Sequence, residues 1–199
     1  MKLTFVGTRG YIEESTSLHA MHTAMLVTQG ATRVLVDCGE TWLGKFEALK
    51  PRAIVLTHAH PDHAAGLQSG TKLPVYASRE SWEVIKEYPI AKREVFAAEK
   101  EFKIGGITFI AFEVDHSTTC PAVGLRISAG NRAVFYSPDL VYIHNREAAL
   151  GGVDIYIGDG ATVTTSFVRR RGATLIGHSP IGTQLTWCKK ESVPTKLPI

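Results

Sequence analysis

Ala53-Ile54-Val55-Leu56 runs without a break into Thr57-His58-Ala59-His60-Pro61-Asp62-His63. Four consecutive apolar residues bounded by a polar cluster predict a short strand buried on both faces. The cluster itself packs three histidines and one aspartate into six residues. Neutral imidazole is the commonest transition-metal ligand, and a carboxylate adds a harder donor. Residues two apart in extended backbone project to one side, so His58 and His60 form one pair. Pro61 turns the chain, and Asp62 and His63 aim elsewhere. Two ligand pairs aimed at two neighbouring points predict two metal ions. Solvated turn histidines are the alternative, and four such residues at the end of a buried strand argue against it.

Outward from this stretch, short strands alternate with Gly, Pro and Asp turns. Strands are expected at 2–6, at 23–27 and 33–36 as a hairpin around Gln29-Gly30, and at 75–77. Phe102-Lys103-Ile104 and 107–114 form a second hairpin through Gly105-Gly106. Residues 123–127 and 133–136 form a third around Gly130-Asn131. Further strands are expected at 153–157 and 174–176. Helices are expected over 79–87, stopped by Pro89, and over 181–190. Lys196-Leu197-Pro198-Ile199 begins another apolar run. Hairpins mixed with helices, without repeat or linker, predict one domain over 1–199 of α/β (α+β) class, with a sheet covered by helices.

Composition narrows the function. With 44% hydrophobic and 21% charged residues the chain is neither disordered nor fibrous. No stretch approaches the roughly 18 to 20 apolar residues of a membrane span, and the N-terminus does not read as a secretory signal. A net charge of +3 admits an anionic substrate without demanding nucleic acid. Cys38, Cys120 and Cys188 are scattered and make neither a disulfide framework nor a C-x-x-C knuckle, which predicts reduced thiols in the cytoplasm.

The stretch at 58–63 resembles the signature of the metallo-β-lactamase superfamily, and other motifs follow in order. Val36-Asp37-Cys38-Gly39 resembles the first motif, whose Asp orients the metal loop. His116, in Val114-Asp115-His116-Ser117, resembles the third-motif ligand, and Asp139, in Tyr136-Ser137-Pro138-Asp139, the bridging carboxylate. Phe5-Val6-Gly7-Thr8-Arg9-Gly10 resembles the opening of the RNase Z and PhnP-like phosphodiesterase branch. Gly177-His178-Ser179 resembles that branch's Gly-His-Ser element, and Asp159 sits where the branch often places an acidic partner for that His.

The resemblance implies a four-layer αββα sandwich and two Zn2+ ions, with Mn2+ or Fe as alternatives. Site 1 would take His58, His60 and His116; site 2 would take Asp62 and His63; Asp139 would bridge. A hydroxide held on the metals would attack, oriented by Asp62, while His178, paired with Asp159, assists the leaving group. The implied activity is hydrolysis of phosphodiesters in a small-molecule or nucleotide-like anionic substrate. Hydrolysis of a carbonyl substrate (thioester, lactone or β-lactam) is the alternative, and a catalytically impaired metal-binding or oligomerising fragment is a third reading. RNase Z in many members inserts a tRNA-binding arm between the third-motif His and the bridging Asp. Here 22 residues separate them, and a hairpin uses these, so tRNA processing and specific nucleic-acid binding are not expected.

One family feature has no counterpart. Members carry a further site-2 His beyond the helix that begins near 181, and no histidine follows His178. The expectation is a sandwich lacking its last strand and helix, with homo-oligomerisation covering the apolar surface so exposed. His178 swinging into site 2, a histidine from another chain, and a single-metal or inactive centre are the alternatives. Elsewhere, His19, His22 and His144 are expected as surface or loop residues. Arg169-Arg170-Arg171 is expected as a solvated loop rather than a phosphate grip, because no aromatic residue is interleaved. Trp42, Trp82 and Trp187 are expected to pack.

Overall fold

The computed structural model describes residues 1–194. The apolar run expected from Lys196 lies outside them. The chain divides into two compact units, 1–97 with 103–107, and 98–102 with 108 onward. Each carries one main sheet.

In the first unit β1 (Lys2–Gly7), β2 (Ala24–Gln29), β3 (Thr32–Val36), β4 (Ala53–Val55), β5 (Thr71–Ala77) and β6 (Ile90–Val95) lie side by side in chain order. β1 to β3 are antiparallel and β3 to β6 are parallel. β4 is buried at every residue, as its apolar run requires, with Ile54 opposite Leu35 on one side and Val75 on the other. The pairing of Val36 with Val55 puts the ends of β3 and β4 side by side. Asp37 and the His cluster therefore emerge together, at the carboxyl edge of parallel strands where open α/β sheets place their sites. The short helix α1 (Pro61–Ala64) follows at once, with Pro61 at its first position, where a missing N–H is harmless.

Other elements of this unit depart from expectation. The helix α2 (Arg79–Val84), capped by Ser78 Oγ accepting from the Ser81 N–H, stops before Glu87. β6 was not expected at all. Only Ile90 of this strand is buried, and Lys92, Arg93 and Glu94 are exposed, the charged surface of an edge strand protected against further pairing.

β7 (Glu101–Ile104), whose residues are divided between the units, pairs with β8 (Ile107–Asp115), the first long strand of the second. β8, β9 (Ala122–Ala129) and β10 (Arg132–Tyr136) form an antiparallel meander. β11 (Tyr142–Ile143) lies beside β8, and β12 (Ile155–Ile157) runs parallel to β10. β8, β10 and β12 thus point the same way. Their carboxyl ends deliver His116, Asp139 and Asp159 to one edge. A short helix α3 (Arg146–Leu150) precedes β12. Phe112, Phe135, Leu140, Ile143, Leu150 and Trp187 form the core on one side of this sheet. The last is carried by α4 (Ile181–Lys190), whose terminal Lys189 and Lys190 complement the helix dipole.

Arg169-Arg170-Arg171 is a strand rather than the expected loop. β13 (Arg169–Arg171) and β14 (Thr174–Ile176) make a two-stranded ribbon. Trp42, Trp82 and Trp187 pack as expected. Among the described residues no helix is long and apolar enough to cross a membrane.

Candidate metal centre

In the first unit His58, Asp62 and His63 are buried, and His60 is partly so. His58 Nε2 stands 3.0 Å from His60 Nδ1. The His58 and His63 rings lie 4.1 Å apart, and His63 Nε2 is 3.4 Å from Asp62 Oδ2. Two imidazole nitrogens at 3.0 Å with a third ring and a carboxylate beside them are a donor set for a borderline cation such as Zn2+.

Asp37 holds this set in place. Its backbone adopts φ 61°, a left-handed conformation that Asp tolerates and most residues do not. Its Oδ1 accepts the Thr57 N–H at 2.8 Å, and its Oδ2 accepts the Thr57 hydroxyl at 2.9 Å. The same Oδ2 faces His63 Nδ1 at 2.9 Å, a contact that puts the proton on Nδ1 and leaves Nε2 with its lone pair. Thr57 Oγ1 lies 3.1 Å from His58 Nδ1 and fixes that ring likewise. Burial pushes the Asp37 carboxyl up, and His63 and the Thr57 donors oppose this.

Glycines bring the neighbouring loops close. A Cβ on Gly39 would strike the Asp62 carbonyl and His22 Cβ, and one on Gly66 would come within 2.7 Å of the Cys38 carbonyl. A Cβ on Gly10 would sit 3.7 Å from Asp62 Oδ2, so the Gly7–Gly10 turn runs beside the cluster. Burial pushes the Cys38 thiol far up, which makes it a packing residue.

In the second unit His116 Nδ1 lies 3.0 Å from the Gly177 carbonyl and donates to it, which turns Nε2 toward Asp139 Oδ2 at 3.4 Å. Asp159 Oδ2 is 2.7 Å from His178 Nδ1 and accepts the Leu140 N–H at 3.1 Å, while Oδ1 accepts the Ala161 N–H at 2.8 Å. Asp139, Asp159 and His178 each offer a ligand atom within 4.8 Å of the others. The His116 and His178 rings meet edge to face at 5.1 Å.

Sequence reasoning did not single out Gln184. This buried amide donates from Nε2 to the carbonyls of Asp159 and Ser179, both at 2.9 Å. Its Oε1 accepts from the Asp159 N–H at 3.0 Å and the Tyr156 hydroxyl at 2.9 Å. It ties α4 to Asp159 itself and to Ser179, the residue after His178. A lone Gln inside a helical stretch carries no signal of such a role.

Two of the three other histidines behave as expected. His144 is a surface residue paired with Asp115 at 3.0 Å, and His19 lies at the surface 3.0 Å from Thr8 Oγ1. His22 corrects the expectation: it is 5% exposed, its Nδ1 accepts the Thr41 N–H, and burial, then the Arg9 charge, hold its pKa below the usual value. It packs behind the Asp62 loop as a structural residue.

A mixed α+β fold whose parallel strands end in His-x-His-x-Asp-His defines the metallo-β-lactamase sandwich class. The chain belongs to the β-lactamase superfamily domain family, whose profile it matches over residues 32–199. It is 28% identical over 166 residues to the probable metallo-hydrolase YhfI of Bacillus subtilis, covering 71% of this chain and 65% of that one. It is 29% identical over 144 residues to the ribonuclease Z of Methanopyrus kandleri, covering 63% and 49%. The chain thus spans between half and two thirds of these relatives' lengths. The crystal structure of YhfI superposes with a TM-score of 0.73 at 20% identity, covering 96% of this chain and 81% of that one. A diphosphatase of the PhnP family superposes with 0.70 at 19% identity, covering 96% and 83%. These relatives support the RNase Z and PhnP-like branch.

Proposed function

We propose that the protein is a zinc-dependent hydrolase of phosphodiesters in an anionic, nucleotide-like substrate, acting in the cytoplasm. The observation that carries the metal is the first unit's donor set, with His58 Nε2 and His60 Nδ1 at 3.0 Å and His63 oriented by Asp37. As the resemblance implies, His58, His60, Asp62 and His63 in the first unit and His116 and Asp139 in the second are the residues that would hold the metal. Zn2+ held so supplies Lewis acidity and lowers the pKa of water from about 15.7 toward 7. Mn2+ or Fe would be accepted by the same donors.

The chain's own residues do the rest. Asp62 orients the attacking oxygen and accepts its hydrogen bond. The Asp159 carboxylate, 2.7 Å from His178 Nδ1, fixes that nitrogen as the protonated one and leaves Nε2 as the atom that would exchange a proton with a departing alkoxide. Thiols at Cys38, Cys120 and Cys188 that are buried and unbridged fit a reducing compartment.

The test is turnover of bis-p-nitrophenyl phosphate against nitrocefin and a lactone. The reading expects zinc-dependent cleavage of the phosphodiester. His178→Ala should lose most with poor alkoxide leaving groups and least with p-nitrophenolate, which needs no proton. Turnover of the carbonyl substrates alone would transfer the fold to the alternative chemistry. No turnover of any with zinc bound would mark a silent metal-binding module.

A further inference from the structure

Residues 160–190 contain three arginines, two lysines and no acidic residue, while the whole chain carries only +3, so the remainder is net negative. The structure gathers three of those charges on one element. Arg169, Arg170 and Arg171 are all exposed on β13, with Arg169 opposite Ile176 and Arg171 opposite Thr174. Strand alternation sets Arg169 and Arg171 on one face and Arg170 on the other. Among the described residues none of the three forms an ion pair, and Arg171 Nη1 donates to the neutral Thr118 Oγ1 at 3.2 Å. Three adjacent like charges repel one another, a penalty that an anionic partner would relieve.

The ribbon is fastened at its base. β14 runs directly into Gly177-His178, and the Gly177 N–H donates to the His116 carbonyl at 2.9 Å. Gly177 has φ 107°, and a Cβ there would strike the Phe167 carbonyl. The backbone of Phe167, two residues before β13, therefore sits against the His178 turn, and the residue is 49% exposed. Val163, in the preceding loop, is 67% exposed. The aromatic residue that the sequence does not interleave with the arginines is thus supplied beside them. A basic track with an exposed aromatic at its end is the combination that binds single strands without sequence preference, through phosphates and base stacking.

We propose that the β13–β14 ribbon, with Phe167, is a docking surface for single-stranded nucleic acid that leads the strand toward His178. The proposal deepens the phosphodiester reading and rests on it for what happens at the ribbon's base. Docking itself needs neither metal nor turnover.

The experiment follows fluorescence anisotropy of a fluorescein-labelled oligothymidylate of about twenty nucleotides with the full chain, from about 50 to about 200 mM salt. Three arginine–phosphate contacts predict a slope of log K against log salt near −2. Replacing the arginines together (Arg169→Gln, Arg170→Gln, Arg171→Gln) should flatten that slope by about 2 units, with circular dichroism unchanged. Phe167→Ala should weaken binding about fivefold or more and leave the slope alone. A control set in the first unit (Lys72→Gln, Arg79→Gln, Lys86→Gln) should change neither.

Absence of binding at the lowest salt would overturn the proposal, as would a triple variant that binds like the parent. So would ribbon-dependent capture of phosphatidylserine vesicles without capture of the oligonucleotide. Intact docking with no phosphodiester turnover would instead remove the function proposed above and leave the ribbon standing.

Discussion

Replacing Gln184 with Leu keeps the side-chain volume and removes every hydrogen bond of a buried amide. Four partners lose their mate: the Asp159 and Ser179 carbonyls, the Asp159 N–H and the Tyr156 hydroxyl. A net contribution of about 1 kcal/mol per bond, with buried groups left unpaired, makes the loss about 3–5 kcal/mol. At about 2–4 °C per kcal/mol for a chain of this size, the melting temperature should fall by roughly 10 °C. Tyr156→Phe is the internal control. It removes one donor while the Asp159 N–H still serves Gln184 Oε1, so it should cost only about 1 kcal/mol. In the double variant the Tyr156→Phe step should be nearly neutral, because its partner has gone. Urea denaturation of the four proteins measures all three quantities. A Gln184→Leu protein within about 1 kcal/mol of the parent would refute the claim that this amide holds the Asp159 and Ser179 backbones together.

Three further outcomes are expected. Asp37→Asn, which cannot accept from Thr57 and His63 as a carboxylate does, should weaken zinc binding by about 10- to 100-fold in a competitive chelator titration. Gly39→Ala should fail to fold or lose zinc altogether, since its Cβ meets backbone of the Asp62 loop, whereas Gly182→Ala in α4 meets nothing and should gain about 0.5–1 kcal/mol in urea. Asp154 has its pKa held low by the Ala133 N–H first and then by Arg132. Its contribution is present above the unfolded carboxylate range and is lost as pH falls through the folded value. Asp154→Asn should therefore be less stable than the parent at neutral pH and converge with it in acid, read from denaturation midpoints against pH.

The legible parts of the fold are those where one periodicity meets no competition. β4 was readable because it is buried on both faces, and the His/Asp loop after it because its residue types are rare together. β6 was not, since an edge strand with exposed Lys92, Arg93 and Glu94 has no apolar alternation to read. α2 stops early because the chain must free Tyr88 and Lys86, whose carbonyls accept from Arg93. α3, at five residues and without a side-chain cap, is made by burial of Ala149 and Leu150 rather than by local preference. β13 forms because β14 pairs with it, a contact invisible in a run of three arginines. In the candidate site, His58, His60, Asp62 and His63 and the pairing of His178 with Asp159 follow from motif and chain order. His22 and Gln184 do not, since their burial comes from residues distant in sequence.

The most direct test of the whole account is zinc stoichiometry. The protein is stripped with chelator, reloaded, desalted and measured by inductively coupled plasma mass spectrometry, beside a His58→Ala, His60→Ala double variant. The account predicts one to two tightly held zinc ions per parent chain and loss of at least one in the variant. A folded parent chain that retains no zinc, manganese or iron after reloading would contradict it.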